Sequence, residues 1–300
     1  MEKNQKLAEA ADSGNLENVK SLLERGLIQA QKDEALRRAA ENGQLPVVEC
    51  LLQHGADLHP IYDWAFRYAA LKGHLSVVEC LLQHGADIHA QDDWALRWAA
   101  LKGHLSVVEC LLQHGADIHA ENDRTLRETA KDERRLVVVK YLLEQGANIN
   151  ANDDEALRVA AERGDLPMVE CLLEHGANLH VLNERPLRLA VENDRLEVTE
   201  CLLEHGADLQ CFSPQTFQFF LRTKDRKIKL LLFYDLQLEE ESPWLISLFL
   251  RINFQRKSLN YVRKTKLLSL YKRKISSEVE RLLCHLYYRP AAPAFYRAVE

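Results

Sequence analysis

Apolar residues along most of this chain fall into one recurring phrase. In residues 91–120, QDDWALRWAALKGHLSVVECLLQHGADIHA, an Ala-rich stretch and a Leu/Val stretch each space their apolar side chains at helical intervals. Lys102-Gly103-His104 separates the two stretches and Gly115 closes the second; glycine takes the left-handed conformation that ends a helix without steric cost. The pattern predicts two antiparallel helices of about ten residues, with Asp93 capping the first and Ala116–Ala120 as an extended connector. Residues 61–90 repeat the phrase with four differences: Ile61/Gln91, Tyr62/Asp92, Phe66/Leu96 and Tyr68/Trp98. Helices this short are marginal alone, so each unit must bury its face against the next, as in a solenoid.

The closing glycines are Gly26, Gly55, Gly85, Gly115, Gly146, Gly176 and Gly206, spaced 29 to 31 residues apart. The first unit, with Glu9, Lys20 and Glu24 on its outer side, reads as the N-terminal cap. Two units lack the inner glycine. In 121–150 a charged turn, Asp132-Glu133-Arg134-Arg135, replaces it and Thr129 stands for a small alanine, which predicts an irregular joint. In 183–208 Asn193-Asp194-Arg195 stands there, with Asn able to take the left-handed turn. A faded eighth unit over 211–238 reads as a C-terminal cap. The register is lost from Glu239, where 244–252, 257–270 and 277–287 read as three further helices, Ser277 and Glu280 forming a capping-box pattern. The expected fold is all-α: a repeat array over 1–238 and a helical segment over 239–300.

The phrase G-H-L-x-V-V-x-x-L-L-x-x-G-A-D-I at a fixed register resembles the ankyrin repeat. An ankyrin unit is about 33 residues; this one is thirty, and the missing residues fall between Ala90 and Leu96, where ankyrins carry a projecting β-hairpin. A tight turn is expected instead. Trp94-Ala95-Leu96-Arg97 replaces the usual Thr-Pro-Leu-His, and only Arg185-Pro186-Leu187-Arg188 keeps the proline. The shortened form is similar to repeats of giant viruses and amoeba-associated intracellular bacteria. The resemblance implies a non-catalytic scaffold that binds protein partners on a concave face.

Charge changes the picture along the chain. Residues 1–210 carry 22 basic and 37 acidic side chains, residues 211–300 carry 17 and 8, an asymmetry that points to two different jobs. The C-terminal excess centres on Arg256, Lys257, Arg263, Lys264, Lys266, Lys272, Arg273 and Lys274. It suits nucleic acid, an acidic surface or an acidic protein partner, against the plainer reading of a solvated helix face. Neither a leader sequence nor a membrane span is expected. Five of seven cysteines (Cys50, Cys80, Cys110, Cys171, Cys201) share one register position, as small buried hydrophobes do. That usage fits a reducing cytosol or nucleus.

No recurring nucleophile–base pair or Gly-rich phosphate loop is present, so no enzyme and no cofactor are expected. Each register cysteine precedes a histidine by four residues, a pair able to touch a metal; zinc needs three or four ligands, and the alternative is a histidine capping its helix end. His59, His89, His119 and His180 sit in the connectors, where the resemblance to ankyrin repeats implies that they tie one turn to the next. Arg37, Arg67, Arg97, Arg127, Arg158 and Arg188 form a ladder expected to pair with acidic neighbours, such as Asp57, Asp87 or Asp117, in inter-repeat contacts; the alternative is a positive stripe that binds an anion. Partner-binding candidates are Tyr62, Trp64, Leu71, Lys72, Asp92, Trp94, Leu101 and Lys102, an apolar patch with a charged border on two adjacent units. Trp64 and Trp94 read equally as inter-repeat stacking; Tyr68 and Trp98 read as core. The expected molecule is a monomeric scaffold. The alternatives are an adaptor whose C-terminal helices recruit machinery such as a ubiquitin ligase, and a nucleic-acid binder through 251–281.

Overall fold

The computed structural model describes residues 2–24 and 28–208, without the side chains of 2–5 and 60–62. Gly26, the 211–238 cap, the 239–300 segment and its basic residues lie outside the described residues, as does the Tyr62 side chain. Fourteen helices are described: α1 (Glu2–Asp12), α2 (Leu16–Leu23), α3 (Gln29–Glu41), α4 (Leu45–Gln53), α5 (Pro60–Lys72), α6 (Leu75–Gln83) and α7 (Ala90–Lys102) come first. They continue as α8 (Leu105–Gln113), α9 (Ala120–Thr129), α10 (Leu136–Glu144), α11 (Ala151–Arg163), α12 (Leu166–Glu174), α13 (Val181–Glu192) and α14 (Leu196–Glu204). Odd-numbered helices pack side by side in one row and even-numbered helices in a second, looser row. Units 61–90 and 91–120 are direct neighbours, α5 on α7 and α6 on α8.

The repeated apolar positions are the core. Val77, Val78 and Leu81 of α6 and Val107, Val108 and Leu111 of α8 are buried, as are Leu96, Ala99 and Ala100 of α7. Each buried Leu or Val contributes about 1.5–3 kcal/mol of transfer free energy, and the alanines let the first-row helices approach closely. The register cysteines are buried too, which pushes their thiols above the ordinary value.

Both helix ends of a unit close with the same device. At the end of α4, Ala56 N–H donates to Leu51 O (3.0 Å) and Gly55 N–H to Leu52 O (3.0 Å), the paired bonds of a Schellman motif around a glycine at φ +75°. At the end of α5, His74 N–H donates to Ala69 O and Gly73 N–H to Ala70 O around a glycine at φ +82°. In the 183–208 unit the left-handed residue is Asp194 (φ 56°), while Asn193 stays at φ −101°; the glycine's register belongs to the aspartate, not to the asparagine. The joint at 131–135 is irregular as expected: α9 ends early at Thr129 and a 3₁₀ turn, Glu133–Arg135, leads into α10.

Candidate functional site

The turns that open α7, α9, α11 and α13 are neither hairpins nor extended connectors. Residues 91–93, 121–123, 152–154 and 182–184 each hold three successive left-handed conformations (φ 49–60°), and Asp63 shares this geometry. No strand occurs among the described residues. A left-handed residue costs about 1–2 kcal/mol, least for Asn and Asp, and these triplets read QDD, END, NDD and LNE.

In the triplets ending at Asp93, Asp123 and Asp154 the third residue offsets the strain. Asp93 is buried, and its carboxylate does not cap its own helix as its place before Trp94 implied. Instead its Oδ1 accepts from the Asp117 backbone N–H of the next unit (2.7 Å) and from His89 Nδ1 (3.2 Å). The same bond runs from Asp57 N to Asp33 (2.8 Å), Asp87 N to Asp63 (3.2 Å), Asn148 N to Asp123 (2.7 Å) and Asn178 N to Asp154 (2.8 Å). His59 and His119 hold Asp63 (3.1 Å) and Asp123 (3.0 Å), and His180 holds Glu184. The connector histidines therefore tie turn to turn, through a buried acid. The Asn/Asp-rich triplets carried the signal, and helix capping by the same residues masked it.

A second ladder joins the units at the other end of the first row. His74 Nε2–H donates to Glu41 O (3.0 Å), His104 to Leu71 O (3.1 Å), Arg135 Nε–H to Leu101 O (3.0 Å) and Arg195 to Glu162 O (3.0 Å). Burial lowers the affinity of His104 for a second proton. Asp165 stands in this register without a proton to give; it caps α12 through Met168 N (3.2 Å), and Arg163 donates to Lys131 O in its stead.

Two members of the arginine ladder, Arg97 and Arg127, pair across units and two, Arg37 and Arg158, within their own; none of these four pairs with the connector aspartates. Asp57, Asp87 and Asp117 accept from the backbone N–H of His59, His89 and His119. Arg97 pairs with Glu121, Arg127 with Glu155 (2.5 Å) and Arg37 with Glu34 (2.8 Å) and Glu41 (3.2 Å); Arg158 donates to the carbonyls of Asp153 and Asn152. Burial alone would raise the Glu155 carboxyl, yet hydrogen bonds from Lys131, Asn152 and Arg127 hold it down to about 2. A depressed carboxylate stabilises the fold fully above its ordinary value of 4.5, and the contribution is lost as pH falls toward 2. Glu155→Gln is therefore expected to lose about 1–2 kcal/mol at pH 7, with the gap to the wild type narrowing below pH 4.5 and closing toward pH 2. A constant gap across urea titrations from pH 7 to 3 would contradict that.

Each register histidine after a cysteine closes its helix. His54, His84, His114, His175 and His205 donate Nδ1–H to the Cys50, Cys80, Cys110, Cys171 and Cys201 carbonyls at 2.8 Å. No group of three or more potential ligands able to hold a metal occurs among the described residues.

The binding candidates gather on α5 and α7. Trp64, Tyr68, Trp94 and Trp98 form one continuous row of rings: 5.5 Å from Trp64 to Tyr68, 6.0 Å across the unit boundary to Trp94 and 5.3 Å on to Trp98. All four are half-buried, so Tyr68 and Trp98 belong to the same surface as the other two and not to the core. Arg37 lies 5.2 Å from the Trp64 ring centre, Arg67 4.5 Å from that of Trp94 and Lys102 5.7 Å from that of Trp98. Leu71 and Leu101 are half-buried beside the row; Lys72, Asp92 and Lys102 are exposed. A cavity of about 220 Å³ opens at the Trp64 end, between Asp33, Glu34, Arg37, Asp57, Leu58 and Ala65.

Two rows of short helices, Schellman-closed and bonded turn to turn, define an α-solenoid of helix-turn-helix repeats. Models of ankyrin repeats match residues 61–122 and 126–213 (a three-copy model) and 36–82 (a many-copy model). The chain belongs to the ankyrin-repeat family. It is similar to the crystal structure of the human ASB11 ankyrin repeat domain, at 25% identity and a TM-score of 0.58, over 67% of this chain and 98% of that one. No curated protein matches it. Ankyrin-repeat domains are protein–protein interaction modules, and no helix among the described residues is long and apolar enough to cross a membrane.

Proposed function

We propose that this protein is a non-catalytic scaffold in a reducing compartment. It holds a protein partner on the concave, first-row side of the array, over 1–238, with 239–300 as a separate basic segment. The observation that supports the reading is the row Trp64–Tyr68–Trp94–Trp98. Four large aromatics keep part of their surface in water on adjacent units, although the neighbouring first-row positions carry charge. Tryptophan and tyrosine in such clusters dominate binding energy, and here stacking across the repeat boundary fixes them in place before a partner arrives.

The test uses the full chain, affinity capture and mass spectrometry. Trp64→Ala/Trp94→Ala is expected to lose the captured partner, with a hot-spot cost of at least about 2 kcal/mol in affinity. Glu79→Ala/Glu109→Ala, on the second row, is expected to keep it. Circular dichroism should show both variants folded, with a melting loss in the tryptophan pair of about 1–2 kcal/mol from the broken stacks. Retention of the partner by the tryptophan variant, or its loss from both, contradicts the proposal.

A further inference from the structure

The array's negative charge is not spread evenly over its two rows. The even-numbered helices α2 to α14 carry ten acidic and two basic side chains. On α5 and α7 the acids are Asp63, Asp92 and Asp93, and two of these are buried in the turn-to-turn ladder. The cations there are Arg67, Lys72, Arg97 and Lys102. Arg67 is buried and Arg97 is paired with Glu121, so the exposed cations beside the aromatic row are Lys72 and Lys102, on the less acidic side of an acidic molecule.

Three observations narrow what fits that row. Cations already lie over the rings of Trp64, Trp94 and Trp98, so the sites that would attract a positive ligand to an aromatic face are occupied. Among the described residues no carboxylate lies within ion-pair distance of Lys102, whereas Lys72, its counterpart one unit earlier, has Glu41 at 3.8 Å. Trp98 Nε1–H is shielded from solvent and has no acceptor among the described residues; buried donors without partners are rare and point to one that is missing.

Resting on the reading above, we propose that the docked segment is an acidic, apolar peptide stretch. Its apolar side chains lie on the Trp64–Tyr68–Trp94–Trp98 row, and a carboxylate pairs with Lys102. A carboxylate drawn to Lys102 arrives at the Trp98 end of the aromatic row. The acidic second row disfavours the same peptide elsewhere, so charge sets the address and the rings supply affinity.

The probe is a random twelve-residue peptide library selected on the full chain, with counter-selection on the folded Trp64→Ala/Trp94→Ala variant. Enrichment of peptides combining Glu or Asp with Leu, Phe or Trp is expected. A synthetic consensus peptide should then bind at least tenfold more weakly to Lys102→Glu, a change at an exposed position, and more weakly as salt rises. Tryptophan-dependent enrichment of basic or uncharged peptides overturns this inference and leaves the binding surface standing. Enrichment that survives the tryptophan changes, or none at all, overturns both. Equal affinity for Lys102→Glu and wild type removes the carboxylate contact.

Discussion

Replacing Asp93 by alanine is expected to destabilise the array by about 3 kcal/mol, whereas Asp93→Asn should cost less than about 1 kcal/mol. The carboxylate is buried and accepts from Asp117 N–H at 2.7 Å and from His89 at 3.2 Å. Alanine removes the acceptor and leaves the amide of the following unit without its partner, a loss of about 1–3 kcal/mol. It also places a residue with no local hydrogen bond at φ 55°, where alanine is about 1–2 kcal/mol worse than a residue that tolerates the left-handed region. Asparagine keeps an oxygen in the same place and is at home at that φ. Urea denaturation of the full chain at pH 7 separates the cases. Equal losses for Ala and Asn would mean that the charge matters and the acceptor does not. No loss for alanine would mean that the inter-unit ladder does not hold the units together.

That ladder marks the boundary of what was legible in the amino-acid sequence. Helices, units and neighbours were readable because each is written by local period: Val107, Val108 and Leu111 declare a buried face whichever neighbour covers it. The thirty-residue spacing pointed to a tight turn in place of the projecting hairpin. What replaced the hairpin was not readable, since Asp before an Ala-rich run is also the mark of an ordinary N-cap. Only the three-dimensional stack shows the carboxylate of Asp93 turned to a backbone amide 24 residues on. The arginine row was legible only in part, for a related reason: Arg97 and Arg127 do meet acids of the next unit, though not the connector aspartates. Its period was evident, but the acid opposite each member depends on how far one unit is offset from the next, and Arg97 meets Glu121 rather than Asp117. Trp98 and Tyr68 misled because four residues along a helix from Trp94 and Trp64 is the same face, and that face is the half-exposed one.

The closing glycines give the second large effect, and it falls on a different glycine from the one the repeat advertises. Gly85 ends α6 at φ +89° with nothing within 4 Å of where a Cβ would stand. Gly73 ends α5 at φ +82°, and a Cβ there would stand 2.5 Å from His104 Nδ1 and 2.7 Å from its Cγ. Both positions charge an L-residue for the left-handed conformation, about 1–2 kcal/mol. Gly73 charges again, because the imidazole is a rigid ring, not the loose end of a chain. His104 must swing away, and its bond to Leu71 O (3.1 Å) is lost, for about 1 kcal/mol more. Gly73→Ala is therefore expected to cost about 2–3 kcal/mol against about 1–2 kcal/mol for Gly85→Ala. His104→Ala should make the two glycine substitutions equal, since the clash and the bond then both vanish. If Gly85→Ala proves as damaging as Gly73→Ala in the wild-type background, or if the gap persists without His104, the imidazole is not what reserves this place for glycine.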